Sequence, residues 1–308
     1  MLWRPSSRAT ATVAIMGAAL LVAGCEAQSH GTPPAPDTPQ LTVVAPQNNT
    51  VPIPEAPPAA PSSGFDGLDA RTKQAVADAA KSGADISVVV MDRDTGQIVS
   101  GGDGSSFPIA SVVKLFIADD LLLKESKGET TLSPADRKAL DVMLRSSDDS
   151  AAQNFWDRLG GNAVIARIKA RYGLGGTTAP WNGHWDVTTS TASDLVRYYD
   201  MLLDGSGGLP AEQAGIIMGN LAQSTPTGID GYPQRFGIPE GLYAEPVAVK
   251  QGWFCCWNGG NQLHVSTGAI GSDRRYLMAM GSLDPTGAAA ARDRMTQVVK
   301  AMFPGGKI

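Results

Sequence analysis

The chain has 308 residues, 43% of them hydrophobic and 18% charged, which is enough apolar material for one large packed domain or two small ones. Its 25 basic and 30 acidic residues leave a net charge of -5. That balance argues against a nucleic-acid partner, which normally needs a basic patch.

At the N-terminus, Arg4 and Arg8 precede an apolar run at residues 9–23 that is too short for a membrane span. The run closes in LVAGC. Small residues before a cysteine resemble a bacterial lipobox, which places cleavage between Gly24 and Cys25 and the lipid, palmitate included, on Cys25. The alternative is an ordinary secretory signal with an incidental cysteine. Lipid would hold the protein at the cell membrane, on its extracytoplasmic side, without spanning it. Residues 1–24 are thus read as a signal peptide. Residues 25–65 are rich in proline and lack any helical or strand period. Such a segment buries too little apolar surface to offset its ordering entropy, so it is read as a disordered linker.

The folded domain is expected over residues 66–308. Residues 65–83 read as a helix, with Asp66 as a possible N-cap and Gly83 at its end. Residues 85–102 read as two strands around a turn at Asp94–Gly96. A long helical stretch follows from Ser111 to about Asp204. Strands return in EPVAVKQGW, NQLHVSTGAIG and RRYLMAMGSL, and a last helix spans about Gly287 to Met302. Strands at both ends with helices between predict an α+β fold, with one antiparallel sheet built from both termini and an inserted helical lobe. A cleft between sheet and lobe is the natural ligand site.

Three short stretches carry chemistry. In FPIASVVKLF, Ser111 and Lys114 lie three apart at the start of a helical pattern, so their side chains share a face. Ser111 would sit where unpaired backbone N–H groups stabilise negative charge. A serine hydroxyl attacks only when a base takes its proton, and a lysine can do so if burial lowers its pKa. In RSSDDSAAQ, Ser147 and Asp148 precede a helix, which as caps they would do without any catalytic role. In VAVKQGW, Lys250 precedes Gly252, where backbone can approach a ligand. A lysine on an edge strand is otherwise a guard against strand pairing. Of the three cysteines, lipidation of Cys25 leaves Cys255 and Cys256 as neighbours. They are either bridged in an oxidising compartment, at unusual geometry, or two buried thiols.

Taken in order, the three stretches resemble the S-x-x-K, S-D-N and K-T-G signature of class A β-lactamases and penicillin-binding proteins. The likeness extends to SDDSAAQ, to DVTTSTASDLVRYYDML with a capping box from Thr191 to Asp194, and to RFGIPEG. It implies a β-lactamase/transpeptidase-like fold over roughly residues 66–308, with no cofactor or metal, and a monomer. It implies Ser111 as nucleophile, Lys114 as its proton partner, Ser147 as proton relay to the leaving nitrogen, and Lys250 as attractor of a substrate carboxylate. The backbone N–H groups of Ser111 and Trp253 would form the oxyanion hole.

Four departures stand out. S-D-N reads S-D-D, so Asp149 replaces an amide donor with an acceptor beside Lys114. K-T-G reads K-Q-G, so Gln251 replaces a hydroxyl that binds the substrate carboxylate. No Asp or Glu lies between Arg158 and Trp185, where class A enzymes carry the glutamate that activates water; His184 or Asp186 would have to substitute. The span from Ser111 to Ser147 is short. Two readings follow. One is a lipid-anchored serine hydrolase or peptidase that forms an acyl-enzyme at Ser111 on a small acyl or peptidoglycan-related substrate, with weak or no β-lactam turnover. The other is an inactive binding module of the same fold.

Overall fold

The computed structural model describes residues 63–308. The signal peptide, Cys25 and nearly all of the proline-rich linker lie outside the described residues.

Apolar alternation produces the sheet. In β1 (Asp85–Asp92), Ile86, Val88 and Val90 enter one core and Val89 the other, as a pleat of period two requires. Gly96, at φ 70°, turns the chain into β2 (Ile98–Gly101). The C-terminal half contributes β5 (Val247–Trp257), β6 (Asn261–Ile270) and β7 (Tyr276–Asp284). The strand order is β2-β1-β7-β6-β5, and every neighbouring pair is antiparallel. Strand β1 runs against β7 from Asp85↔Leu283 to Asp92↔Tyr276, so both chain ends build one sheet. A short pair, β3 (Phe107–Pro108) with β4 (Thr189–Ser190), stands apart.

Helices α1 (Leu68–Ala80) and α9 (Ala288–Met302) cover one sheet face. The other face meets the lobe: α2 (Lys114–Ser126), α3 (Pro134–Arg145), α4 (Asp149–Arg158), α5 (Ala163–Tyr172), α6 (Ala192–Asp204) and α7 (Ala211–Ala222). A one-turn α8 (Ile238–Gly241) leads toward β5. This is the expected α+β arrangement of a terminal-built antiparallel sheet with a helical insert.

Several local expectations are corrected. Helix α1 is capped by Gly67 at φ 68°, not by Asp66, whose backbone oxygen instead accepts from Arg71. Thr191 accepts from the Asp194 N–H, but the Asp194 carboxylate turns to Thr177 at 2.8 Å, so the box is only half formed. Helix α7 was not anticipated, because Gly215 and Gly219 weaken its propensity by about 1 kcal/mol each. Its buried Ala214, Ile217, Met218 and Leu221 nevertheless keep helical spacing. The core also starts one residue early: Phe65 is buried and stacks on Tyr276 at 5.8 Å.

Phe65→Ala is expected to lower the unfolding free energy by about 3 kcal/mol, the usual cost of emptying a buried phenylalanine site. Urea denaturation measures it, and a loss below about 0.5 kcal/mol, the range of surface substitutions, would return Phe65 to the linker.

Candidate active site

A turn of 3-10 helix, Ala110–Val113, leads directly into α2. In that geometry residues i and i+3 eclipse, which sets Lys114 over Ser111. The Lys114 Nζ lies 2.8 Å from Ser111 Oγ. It also reaches Ser147 O at 2.8 Å, Ser147 Oγ at 3.1 Å and Asp149 Oδ1 at 2.5 Å, and the Trp185 ring centroid is 4.8 Å away. The lysine is 0% exposed, whereas the Asp149 side chain is 72% exposed.

Burial pushes the Lys114 pKa below the ordinary lysine value, and the opposing pull of Asp149 does not cancel it. As a free amine, Lys114 has two hydrogens and one lone pair. Ser147 O and Asp149 Oδ1 can take the hydrogens, leaving the lone pair for the Ser111 proton. Asp149 itself raises the amine's affinity for a proton, and burial outweighs it.

Ser147 is placed by the start of α4. Asp148 is the N-cap, accepting from the Ala151 N–H at 3.0 Å, which leaves the Ser147 hydroxyl for other work. Lys250 Nζ donates to Ser147 Oγ at 3.0 Å and to Gln251 O at 3.1 Å. With Lys250 donating to it, Ser147 Oγ keeps its own proton to give away. Burial, reinforced by Lys114, holds the Lys250 pKa well below the usual value. Ser147 and Ala110 both adopt left-handed φ, 60° and 45°. Such strain in non-glycine residues gathers where geometry is functional.

Strand β5 closes the site along its free edge. A Cβ on Gly252 would lie 2.6 Å from Ile109 O and 3.3 Å from the Ser111 nitrogen, so only glycine lets the strand approach the nucleophile. Trp253, the expected second oxyanion donor, follows directly.

The pleat of β5 corrects two expectations. Ala248 and Phe254 pack on the lobe side and Val249 and Trp253 on the opposite side, so Lys250 faces the lobe and Gln251 faces away. Gln251 is 1% exposed, and its amide donates to Gln234 O at 3.1 Å and Phe236 O at 2.7 Å. It therefore does not present itself to a substrate. Lys250 is also 1% exposed, lying behind Ser147 rather than in the cleft, so it is not an open receptor for a carboxylate.

The cleft itself measures about 280 Å³ and is lined by Ser111, Asp149, Gln153, His184, Trp185, Asp186, Asp230, Trp253 and Phe254, with Ala110. His184 and Asp186 thus line the same cleft as Ser111. Asp230 was missed by the sequence reading. It accepts from the Trp253 indole at 3.2 Å and the Tyr232 N–H at 3.0 Å, and the two rings stack at 4.9 Å. Its only sequence signal is the turn-like GIDGYP. Past the cleft, Cys255 and Cys256 lie side by side at the exposed end of β5 and are not buried thiols. Among the described residues, no three His, Cys, Asp or Glu side chains converge on a metal position.

The sequence profile of the "Beta-lactamase enzyme family" matches residues 69–136, which include Ser111 and Lys114. "Putative lipoprotein LppW" of Mycobacterium tuberculosis and Mycobacterium bovis is 60% identical over 255 residues, covering 83% of this chain and 81% of the relative. A variant of PBP-A, solved as an acyl-enzyme with penicillin G, superposes with TM-score 0.64 at 19% identity, over 80% of this chain and 97% of that one. The TLA-3 extended-spectrum β-lactamase superposes with TM-score 0.61 at 14% identity, over 77% and 97%. At such identities the solved structures share the fold.

The Lys114 side chain, followed by NMR, is expected to titrate below the ordinary lysine range. Asp149→Asn removes a carboxylate that favours the ammonium, so it should move that titration lower still. An upward shift, or none, would show that Asp149 does not act on the amine.

Proposed function

This chain belongs to the family of LppW and matches the β-lactamase enzyme family over residues 69–136, and on that premise we propose that it is a serine acyl-transfer enzyme held outside the cytoplasm by lipid on Cys25. The observation that carries the reading is the buried Lys114 amine 2.8 Å from Ser111 Oγ, joined through Ser147 to Lys250.

Lys114 takes the Ser111 proton as Oγ attacks an amide or ester carbonyl carbon. The tetrahedral oxyanion lies between the Ser111 and Trp253 N–H groups, a contribution of about 3–4 kcal/mol per donor in comparable sites. Ser147 then gives its proton to the leaving nitrogen and recovers one from the Lys114 ammonium. Lys250 holds the Ser147 oxygen in place. The Ser111–acyl bond has formed, the carbonyl–nitrogen bond has broken, and Lys114 is again a free amine.

Release of the acyl group requires an activated water or another acceptor. Without the family's loop glutamate, that step falls to groups such as Asp186 or His184 at the cleft wall, so penicillins should be turned over slowly or not at all. A small acyl group or a peptidoglycan-related peptide suits the setting better. The Cys255–Cys256 bridge suits the same oxidising compartment. The carboxylate of Asp149, in place of an amide, favours a second reading, a binding module that keeps the fold without the chemistry.

Incubation with an activated ester followed by intact mass is expected to show one adduct, lost in Ser111→Ala. Lys114→Ala should slow it by about 10²–10⁴, the usual contribution of a positioned base. The rate should climb as pH rises through the Lys114 pKa, and in Asp149→Asn that climb should come at lower pH. A folded protein that takes up no ester or β-lactam on long incubation would favour the binding module.

Cys25→Ala should release the protein from the membrane fraction. Full retention of that variant would refute the lipid anchor.

A further inference from the structure

The solved likenesses include an acyl-enzyme with penicillin G, whose substrate carries a carboxylate, yet the charge lining this cleft has the same sign as that carboxylate. Three carboxylates, Asp149, Asp186 and Asp230, line it. No lysine or arginine does: Lys114 and Lys250 lie beneath the floor, almost without exposure. Among the described residues Asp230 accepts from neutral donors, the Trp253 indole and a backbone N–H, so its charge is not cancelled in place. Its field extends through the floor, where it raises the affinity of both buried lysines for a proton.

Aromatic residues accompany the carboxylates. Trp185 and Trp253 are both part of the lining. Carboxylates set beside aromatic rings are the surroundings that hold ammonium groups, through Coulomb attraction and the negative ring face. The acidic surface continues past Trp185 as a shallow groove along α4, lined by Asp149 and Asp157 among polar residues. An independent feature says that a ligand belongs here: the cleft floor is Ser111, buried and held against a lysine amine.

We infer that this cleft seats an acyl donor bearing an ammonium group near its reacting carbonyl, and disfavours donors bearing a carboxylate there. The inference rests on Ser111 being the acylated group only for its kinetic test. Charge selection by the cleft is a separate property and has a separate measurement.

The full-length chain in detergent is offered nitrophenyl esters of three matched six-carbon acids ending in trimethylammonium, methyl or carboxylate. Each labelling rate at Ser111, read by intact mass, is divided by that ester's spontaneous hydrolysis rate. The trimethylammonium ester should exceed the carboxylate ester by about tenfold or more, equivalent to ~1.4 kcal/mol. The ratio should fall toward one in the Asp186→Asn, Asp230→Asn double variant, and also in high salt, which screens an open cleft. The methyl ester, measured in each sample, is the reference to which the other two rates are normalised, so a change in reactivity common to all three esters cancels. A ratio near one or inverted in the wild type overturns the inference and leaves the acyl-transfer reading standing. In a parallel arm, Ser111→Ala is titrated by ligand-observed NMR with the unreactive amides of the same acids. Preferential binding of the cationic amide there, with no labelling of the wild type, would keep the inference and sink the acyl-transfer reading. Equal binding of the two amides overturns the inference.

Discussion

A lysine amine enclosed by protein needs partners for its hydrogens and its lone pair, and two separate segments converge to give Lys114 its own. Ser111 comes from the turn before α2, Ser147 from the loop before α4, and Asp149 from the first residue of α4. Losing water around an isolated ammonium costs several kcal/mol. Remaining a free amine avoids most of that penalty, and it is also the form that accepts a proton. The burial that disfavours an ordinary lysine therefore prepares this one as a base.

The rest of the site follows from keeping that amine dry and partnered. Trp185 covers it, and the loop carrying Trp185 is pinned by bonds from Trp156 to Gly183 O and from Asn162 to Pro180 O. Strand β5 closes against the nucleophile because Gly252 has no side chain to block it. Lys250 completes the relay from behind Ser147 and is itself held toward neutrality by burial and by its neighbour. Burial lowers the proton affinity of both lysines, Lys114 lowers that of Lys250 further, and the Ser147 hydroxyl lies between them.

Against this stable floor, the cleft walls have diverged. Asp149, Asp186 and Asp230 carry acidity to the surface, while Gln251 has been drawn into the fold to satisfy the carbonyls of Gln234 and Phe236. The elements for attack on a carbonyl are separable from those that choose a substrate. The former occupy buried, geometrically constrained positions. The latter occupy exposed ones, where a change of charge disturbs little of the packing.

The sequence alone determined the fold class and the sheet built from both termini, because these rest on local alternation and helical spacing, while the Ser111, Lys114, Ser147 and Lys250 quartet came from the resemblance of three short motifs, in order, to a family signature. It could also have revealed that Gln251 faces away from the cleft, since strand parity sets it with Val249. Helix α7 was legible in its apolar spacing and obscured by two glycines. Only the tertiary structure decided that the Lys114 pKa is lowered, because it reflects how much protein surrounds the amine, a sum over segments distant in the chain. Asp230, more than a hundred residues from Ser111, could not be assigned to the cleft from its own neighbours. The sign of the cleft's charge was equally hidden, because it depends on which carboxylates reach the surface and which lysines the fold encloses.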